Sequence, residues 1–138
     1  MFDVTLNYWA IIVAAVAHMI LGMLWYSQAV FGKKWMALSG KTMGDVKAKG
    51  GMTGSMYFWN TLAALVMAYV LAYITSYAGA MTAMEGAQTG FWIWLGFVAT
   101  VSLSDVLYAG KAKGLYWINN GFYLVSLIVM GIILAVWA

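Results

Sequence analysis

Cysteine, proline and arginine are absent from this chain, and charged residues of any kind are scarce. Without cysteine there is no disulfide, no thiolate metal site and no cysteine nucleophile. Without proline, no helix is interrupted by a missing backbone N–H. Charged residues make up 8% of the chain. Soluble domains carry about 25%, so this sequence does not have the composition of a water-soluble domain.

Most of the residues that are present are apolar. The chain is 65% hydrophobic and has a mean hydropathy of +0.87. A membrane-spanning helix needs about 20 mostly apolar residues, and four stretches meet that requirement: 7–29, 56–77, 88–108 and 115–137. The sequence therefore predicts an all-α, integral membrane four-helix bundle that forms a single transmembrane domain over residues 1–138. Because only Asp3 is charged before the first stretch, we expect a retained helix and not a cleaved signal sequence.

The lysines predict an orientation. Five of the seven lie between the first and second stretches and two between the third and fourth: Lys33, Lys34, Lys41, Lys47, Lys49, Lys111 and Lys113. Cationic loops stay in the cytoplasm, so both lysine-rich loops are predicted to be cytoplasmic and both chain ends outside. The long loop, 30–55, pairs Phe31 and Trp35 with lysines, which is typical of a segment lying at the membrane interface.

A few polar residues fall inside the predicted spans, where they are costly and often functional. His18 lies near the middle of the first span, and Asp105, Asn60 and Asn119 lie toward the cytoplasmic ends of the other three. If the helices pack in sequence order, these groups converge on a polar cavity open to the cytoplasm, with His18 at its floor. The candidate binding residues are His18, Trp25, Tyr26, Asn60, Asp105 and Asn119.

A purely structural reading competes with this hypothesis. Asp105 can pair with Lys111 or Lys113 near the interface. The asparagines can hydrogen-bond to neighbouring helices or cap helix ends, and His18 can remain neutral against a backbone carbonyl. A direct pair between His18 and Asp105 would need a bridging group, because their depths differ by about 10 Å.

Small residues at four-residue spacing predict where helices approach one another in lipid. Each predicted span carries such a series, and the four series are Ala10–Ala14–His18–Gly22, Ala64–Ala68–Ala72, Gly96–Thr100–Ser104 and Gly131–Ala135. They favour a compact bundle or contacts between subunits.

The sequence contains no complete cofactor-binding motif. Ser39-Gly40-Lys41-Thr42 is similar to the end of a phosphate-binding loop, but that loop requires glycine where this chain has Trp35. Cysteine and histidine metal spacings are lacking. We therefore expect no cofactor, no metal and no nucleic-acid partner.

The exit of the first span resembles a known family. Asn7-x-Trp9, Gly22-x-x-Trp25-Tyr26-Ser27, Phe31-Gly32-Lys33 and the terminal Gly131…Ala135-x-Trp137 are similar to a bacterial membrane family catalogued as domain of unknown function 1761. The resemblance implies a four-helix inner-membrane protein without an assigned activity. Members often have proline after Trp-Tyr-Ser, whereas this chain has Gln28, so we expect the first helix to run on toward Phe31.

Two functions remain open from the sequence. The first is an oligomeric bundle that binds or translocates a small solute, an ion or a proton. The second is a structural or accessory subunit of a homo-oligomer or of a larger membrane complex. A lipid-modifying enzyme is less favoured, because His18 is too deep for an interfacial substrate.

Overall fold

The computed structural model describes residues 6–27, 29–39 and 54–137, and within these ranges it contains helices and no strands. The helices are α1 (Tyr8–Trp25), α2 (Gly32–Ser39), α3 (Gly54–Tyr77), α4 (Ala83–Leu107) and α5 (Lys113–Val136). Within α4, the segment Trp94–Ala99 has π-helical geometry. All but the short α2 are long and apolar enough to cross a membrane, which confirms the prediction of four such helices.

The first helix is capped at its start by an asparagine side chain. Asn7 Oδ1 accepts hydrogen bonds from the backbone N–H groups of Trp9 and Ala10 at 3.1 and 3.3 Å, which satisfies donors that have no partner within the helix. The Asn7 amide also donates to the carbonyl oxygen of Trp137 at 3.2 Å. One side chain therefore begins α1 and ties it to the end of α5.

The prediction that the first helix continues toward Phe31 is wrong. It ends at Trp25, and the backbone N–H of Phe31 returns to the carbonyl of Trp25 at 3.0 Å. The turn is tight enough to require glycine, because a Cβ at Gly32 would overlap the carbonyl oxygens of Tyr26 and Ser27. Trp25 and Phe31 then pack with their ring centroids 4.8 Å apart.

The third spanning helix begins earlier than the predicted residue 88. Its first residue is Ala83 because Thr82 caps it: the Thr82 hydroxyl accepts from the Glu85 N–H at 3.2 Å and donates to the Glu85 carboxylate at 2.9 Å. This Thr-x-x-Glu pattern is a helix-start signal. The helix consequently includes both Gly86 and Gly90, whereas the predicted span 88–108 contains only Gly90.

The core forms where α1, α3 and α5 meet. Small residues dominate the contact on α1 and α3, and larger apolar side chains of α5 fill the space between them. The buried members are Ala10, Ile11, Ala14, Ala15, Ala64, Ala68, Leu71, Ala72, Leu127, Met130 and Leu134. The predicted alanine series on the first and second spans are confirmed as packing faces.

Helix α4, the third spanning helix, packs on the opposite face of α5. A Cβ at Gly86 would overlap the carbonyl of Gly131, and one at Gly90 would overlap the carbonyl of Leu127. The two backbones therefore touch, as in Gly-x-x-x-Gly helix pairs. The series Gly96–Thr100–Ser104 was the wrong prediction for this helix: all three residues are exposed, and nothing lies within 4 Å of a Cβ at Gly96.

The outer faces of the bundle are apolar. Val16, Val66, Phe97 and Val101 are between 47% and 70% exposed, as expected of side chains that face lipid tails. Helix α2 lies against the start of α5, where Leu38 occupies the space beside Gly114. The rest of the predicted interfacial loop, 40–53, lies outside the described residues.

We expect Gly90→Ala to destabilise the protein by about 1–3 kcal/mol, because the new methyl group forces α4 away from the Leu127 carbonyl. The matched control is Gly96→Ala, which adds the same methyl group to the same helix in open space. Reversible unfolding in mixed detergent micelles measures both variants. Equal stability of the two variants would contradict the glycine contact.

Candidate functional site

Three polar or aromatic side chains of α1 and its C-terminal cap meet partners on α5, and the partners follow in reverse chain order, as expected of antiparallel helices. We term this set the polar seam, and its members are His18, Trp25, Tyr26, Ile118, Asn119 and Ser126. From the middle of the span to its end, the pairs are His18–Ser126, Trp25–Ile118 and Tyr26–Asn119. Three of the predicted binding residues on α1 and one on α5 are therefore brought together.

The deepest pair joins His18 and Ser126. His18 is 7% exposed and Ser126 is fully enclosed. The His18 Nδ1 atom lies 2.5 Å from the Ser126 hydroxyl oxygen, and that hydroxyl donates to the Met130 sulfur at 3.5 Å. Two tautomers satisfy this contact: either the Nδ1–H donates to the serine oxygen, or the serine hydroxyl donates to Nδ1.

The other imidazole nitrogen of His18 is left without a partner. In either tautomer, Nε2 forms no hydrogen bond within the described part of the chain. Every described side-chain nitrogen or oxygen that is completely enclosed does have a partner. The Nε2 atom is therefore not completely enclosed, although most of the ring is buried.

Aromatic rings surround this imidazole. Its centroid lies 5.1 Å from that of Phe122 and 6.2 Å from that of Tyr123. Phe122 also fills the space beside Gly22, where a Cβ would lie 3.4 Å from its ring. The rings place His18 in a low-dielectric environment and leave little room for a bound solute.

The outer part of the seam holds two further hydrogen bonds. The Trp25 indole N–H donates to the carbonyl of Ile118 at 3.0 Å, and the Tyr26 hydroxyl donates to the Asn119 amide oxygen at 2.6 Å. Trp35 of α2 meets the Tyr26 ring edge to face, with the centroids 6.3 Å apart. The Trp25-Tyr26 pair thus joins α1, α2 and α5 where α1 ends.

Asn120 forms a second polar cluster, on the side of α5 that faces α4. Its carbonyl accepts from the Trp94 indole at 2.9 Å, and its amide donates to the Tyr116 carbonyl at 2.9 Å. The Ser102 hydroxyl lies 2.8 Å from its amide oxygen. The Tyr116 hydroxyl donates to the carbonyl of Ala99, at the end of the π-helical segment, at 2.8 Å.

Two predicted binding residues lie away from the seam. Asn60 is exposed on the first half of α3. Asp105 is exposed near the end of α4, where its carboxylate lies 3.7 Å from the Lys111 ammonium. The predicted convergence of Asn60, Asp105 and Asn119 around His18 is therefore not found: α3 diverges from α5 at that depth, and Asp105 has an exposed partner beyond the helix end.

Sequence reasoning missed Ser126 and Asn120. No local sequence pattern marks Ser126. Its position along the helix could have identified it, since an antiparallel partner of His18 must lie near the middle of the last span. Asn120 directly follows the predicted binding residue Asn119. Adjacent residues point about 100° apart around a helix, so the two asparagines face different helices. Only Asn120, at 2% exposure, is fully buried.

The architecture is that of a multi-pass helical membrane protein, built on four apolar helices with polar side chains between them. The model of the family described as Protein of unknown function (DUF1761) matches residues 9–135. The chain belongs to that family, which confirms the resemblance at the exit of the first helix. No curated protein and no solved structure matches the chain.

We expect Tyr26→Phe and Asn119→Ala each to lower the free energy of unfolding by about 1 kcal/mol. Their effects should not add, because both remove the same hydrogen bond. A double-mutant cycle in micelles measures the coupling. Tyr108→Phe, at a side chain that is 88% exposed, is the control and should have no effect. Additive losses would show that the Tyr26–Asn119 bond does not contribute.

Proposed function

We propose that this protein binds and passes protons at His18, within a homo-oligomer in the bacterial inner membrane. The observation that carries the proposal is the imidazole itself: it lies near the middle of a spanning helix, and among the described residues only one of its ring nitrogens has a hydrogen-bond partner. Ionisable groups at such depth are expensive and mark ion or proton pathways. A purely structural histidine would be expected to satisfy both nitrogens.

A proton suits this site better than a larger ligand. In the tautomer with a proton on Nδ1, the Nε2 lone pair accepts a second proton to form imidazolium, while Nδ1–H continues to donate to Ser126. The same nitrogen then releases that proton. This exchange forms no other covalent bond and needs no cavity, which agrees with the close packing of Phe122 and Tyr123 around the ring.

The orientation follows from the lysine-rich loops. With Lys33, Lys34, Lys111 and Lys113 on the cytoplasmic side, the Tyr26–Asn119 end of the seam faces the cytoplasm. Both chain ends then lie outside. In this arrangement His18 exchanges protons with the cytoplasm past Tyr26, and the protein performs no covalent catalysis on a substrate.

A structural or accessory subunit is the second candidate, and a different observation favours it. The Asn7–Trp137, Trp25–Ile118 and Tyr26–Asn119 bonds lock α1 against α5 along its length. Bonds of this kind hold helices together in lipid without any transport role.

The single histidine makes a direct test possible. His18 is the only histidine in the chain, so ¹⁵N-histidine labelling reports this site alone. We expect the neutral form with a proton on Nδ1 at about pH 8, and conversion to imidazolium as the pH falls to about 4. Ser126→Ala should change the tautomer. A spectrum that does not change with pH would contradict proton binding.

Transport is tested separately in reconstituted vesicles that contain a pH-sensitive dye. With a potassium gradient and valinomycin as the driving force, His18→Gln should reduce proton flux to the level of protein-free vesicles. Tyr108→Phe is the control and should retain the full rate. Equal flux for His18→Gln and the unmodified protein, with a folded spectrum for both, would favour the structural candidate.

A further inference from the structure

Phe122 separates His18 from the Tyr26 end of the polar seam. Its ring centroid lies 5.1 Å from that of His18 and 5.6 Å from that of Tyr26. His18 and Tyr26 are eight residues apart on the chain, a rise of about 12 Å along a helix, so the phenylalanine ring lies between them. Phe122 is 6% exposed and has no polar side-chain atom. A proton therefore has no direct path along the seam from His18 to Tyr26.

The next residue of α5, Tyr123, contacts both groups that Phe122 separates. Its ring stacks on the His18 imidazole, with the centroids 6.2 Å apart and 23° between the ring planes. Its phenol also interacts electrostatically with that of Tyr26. Tyr123 therefore passes beside the phenylalanine ring, and it carries a hydroxyl group where Phe122 has none.

The helix geometry of α5 places Tyr123 between the two hydrogen-bonded ends of the seam. Asn119, Tyr123 and Ser126 follow at spacings of four and three residues, so they share one side of the helix. Asn119 accepts from Tyr26, and Ser126 contacts His18. Because helical side chains tilt toward the helix N-terminus, the Tyr123 side chain leans toward the Tyr26 end of the seam.

The Tyr123 hydroxyl is not used by the fold. It forms no hydrogen bond within the described part of the chain, and the same is true of His18 Nε2. Every described side-chain nitrogen or oxygen that is completely enclosed has a partner, so neither of these two atoms is completely enclosed. Polar atoms of this kind are the ones that bind ordered water within proteins.

We propose that the Tyr123 hydroxyl relays protons between His18 Nε2 and the Tyr26 end of the seam, with a water molecule bridging each gap. The inference rests on the proposed function and names the route of its proton. On release, the Nε2–H bond breaks and the proton passes through the first water to the Tyr123 oxygen. That oxygen gives its own proton to the second water, beside Tyr26. Tyr123 is neutral before and after, because a hydroxyl both donates and accepts, and uptake reverses these steps.

Tyr123→Phe tests the relay, because it removes the oxygen and keeps the ring that stacks on His18. We expect proton flux in reconstituted vesicles to fall on the order of 100-fold, the usual contribution of a positioned proton-transfer group. His18 should still convert to imidazolium in the ¹⁵N-histidine spectrum, because its proton affinity does not depend on the route. Tyr69→Phe is the matched control: it removes a hydroxyl from an exposed tyrosine of another spanning helix and should leave flux unchanged.

A second variant separates transfer from packing. Tyr123→His restores a group that both donates and accepts, so it should recover flux relative to Tyr123→Phe. Full flux in Tyr123→Phe, with His18→Gln inactive, would overturn the relay and leave the proposed function standing. Loss of the His18 titration in Tyr123→Phe would show that Tyr123 only positions the imidazole. Full flux in His18→Gln would overturn the proposed function, and the relay with it.

Discussion

Helices in hydrocarbon gain nothing by hiding apolar side chains from one another, because lipid tails are as apolar as leucine. In this bundle, helix α5 makes close packing contacts with the other three spanning helices. On one face, the backbone at Gly131 and Leu127 touches Gly86 and Gly90 of α4. On the other, Met130 and Leu134 fill the space left by the alanines of α1 and α3. The rest of the arrangement depends on these close approaches, since they determine which helices are neighbours.

The hydrogen bonds add specific residue pairs to that packing. Ser126 and Asn119 point to α1, and Asn120 points to α4, so neighbouring polar residues on one helix connect two others. Most of the amide and hydroxyl groups at these contacts are bonded. The His18 Nε2 atom is an exception among the described residues of these contacts, and it lies between helices of the bundle.

Much of the architecture was predictable, and the reasons for the failures are physical. Hydropathy located four helices because a chain in lipid must satisfy its backbone groups within each span. It placed the start of α4 too late, because Glu85 interrupts the apolar pattern even though Thr82 caps a helix there. That error concealed the spacing of Gly86 and Gly90, the pair that α4 uses to meet α5.

By itself, the sequence determined the membrane class, the number of spans and which polar side chains lie within them. These depend only on residue type and on position along the chain. Only the tertiary structure decided which polar groups meet. Asn60 and Asn119 lie at similar depth, yet one is exposed and the other bonds to Tyr26. Such choices depend on the rotation and tilt of each helix. Those are set by where glycine and alanine let two backbones touch, and a small-residue series within one helix predicts a packing face but not which helix meets it.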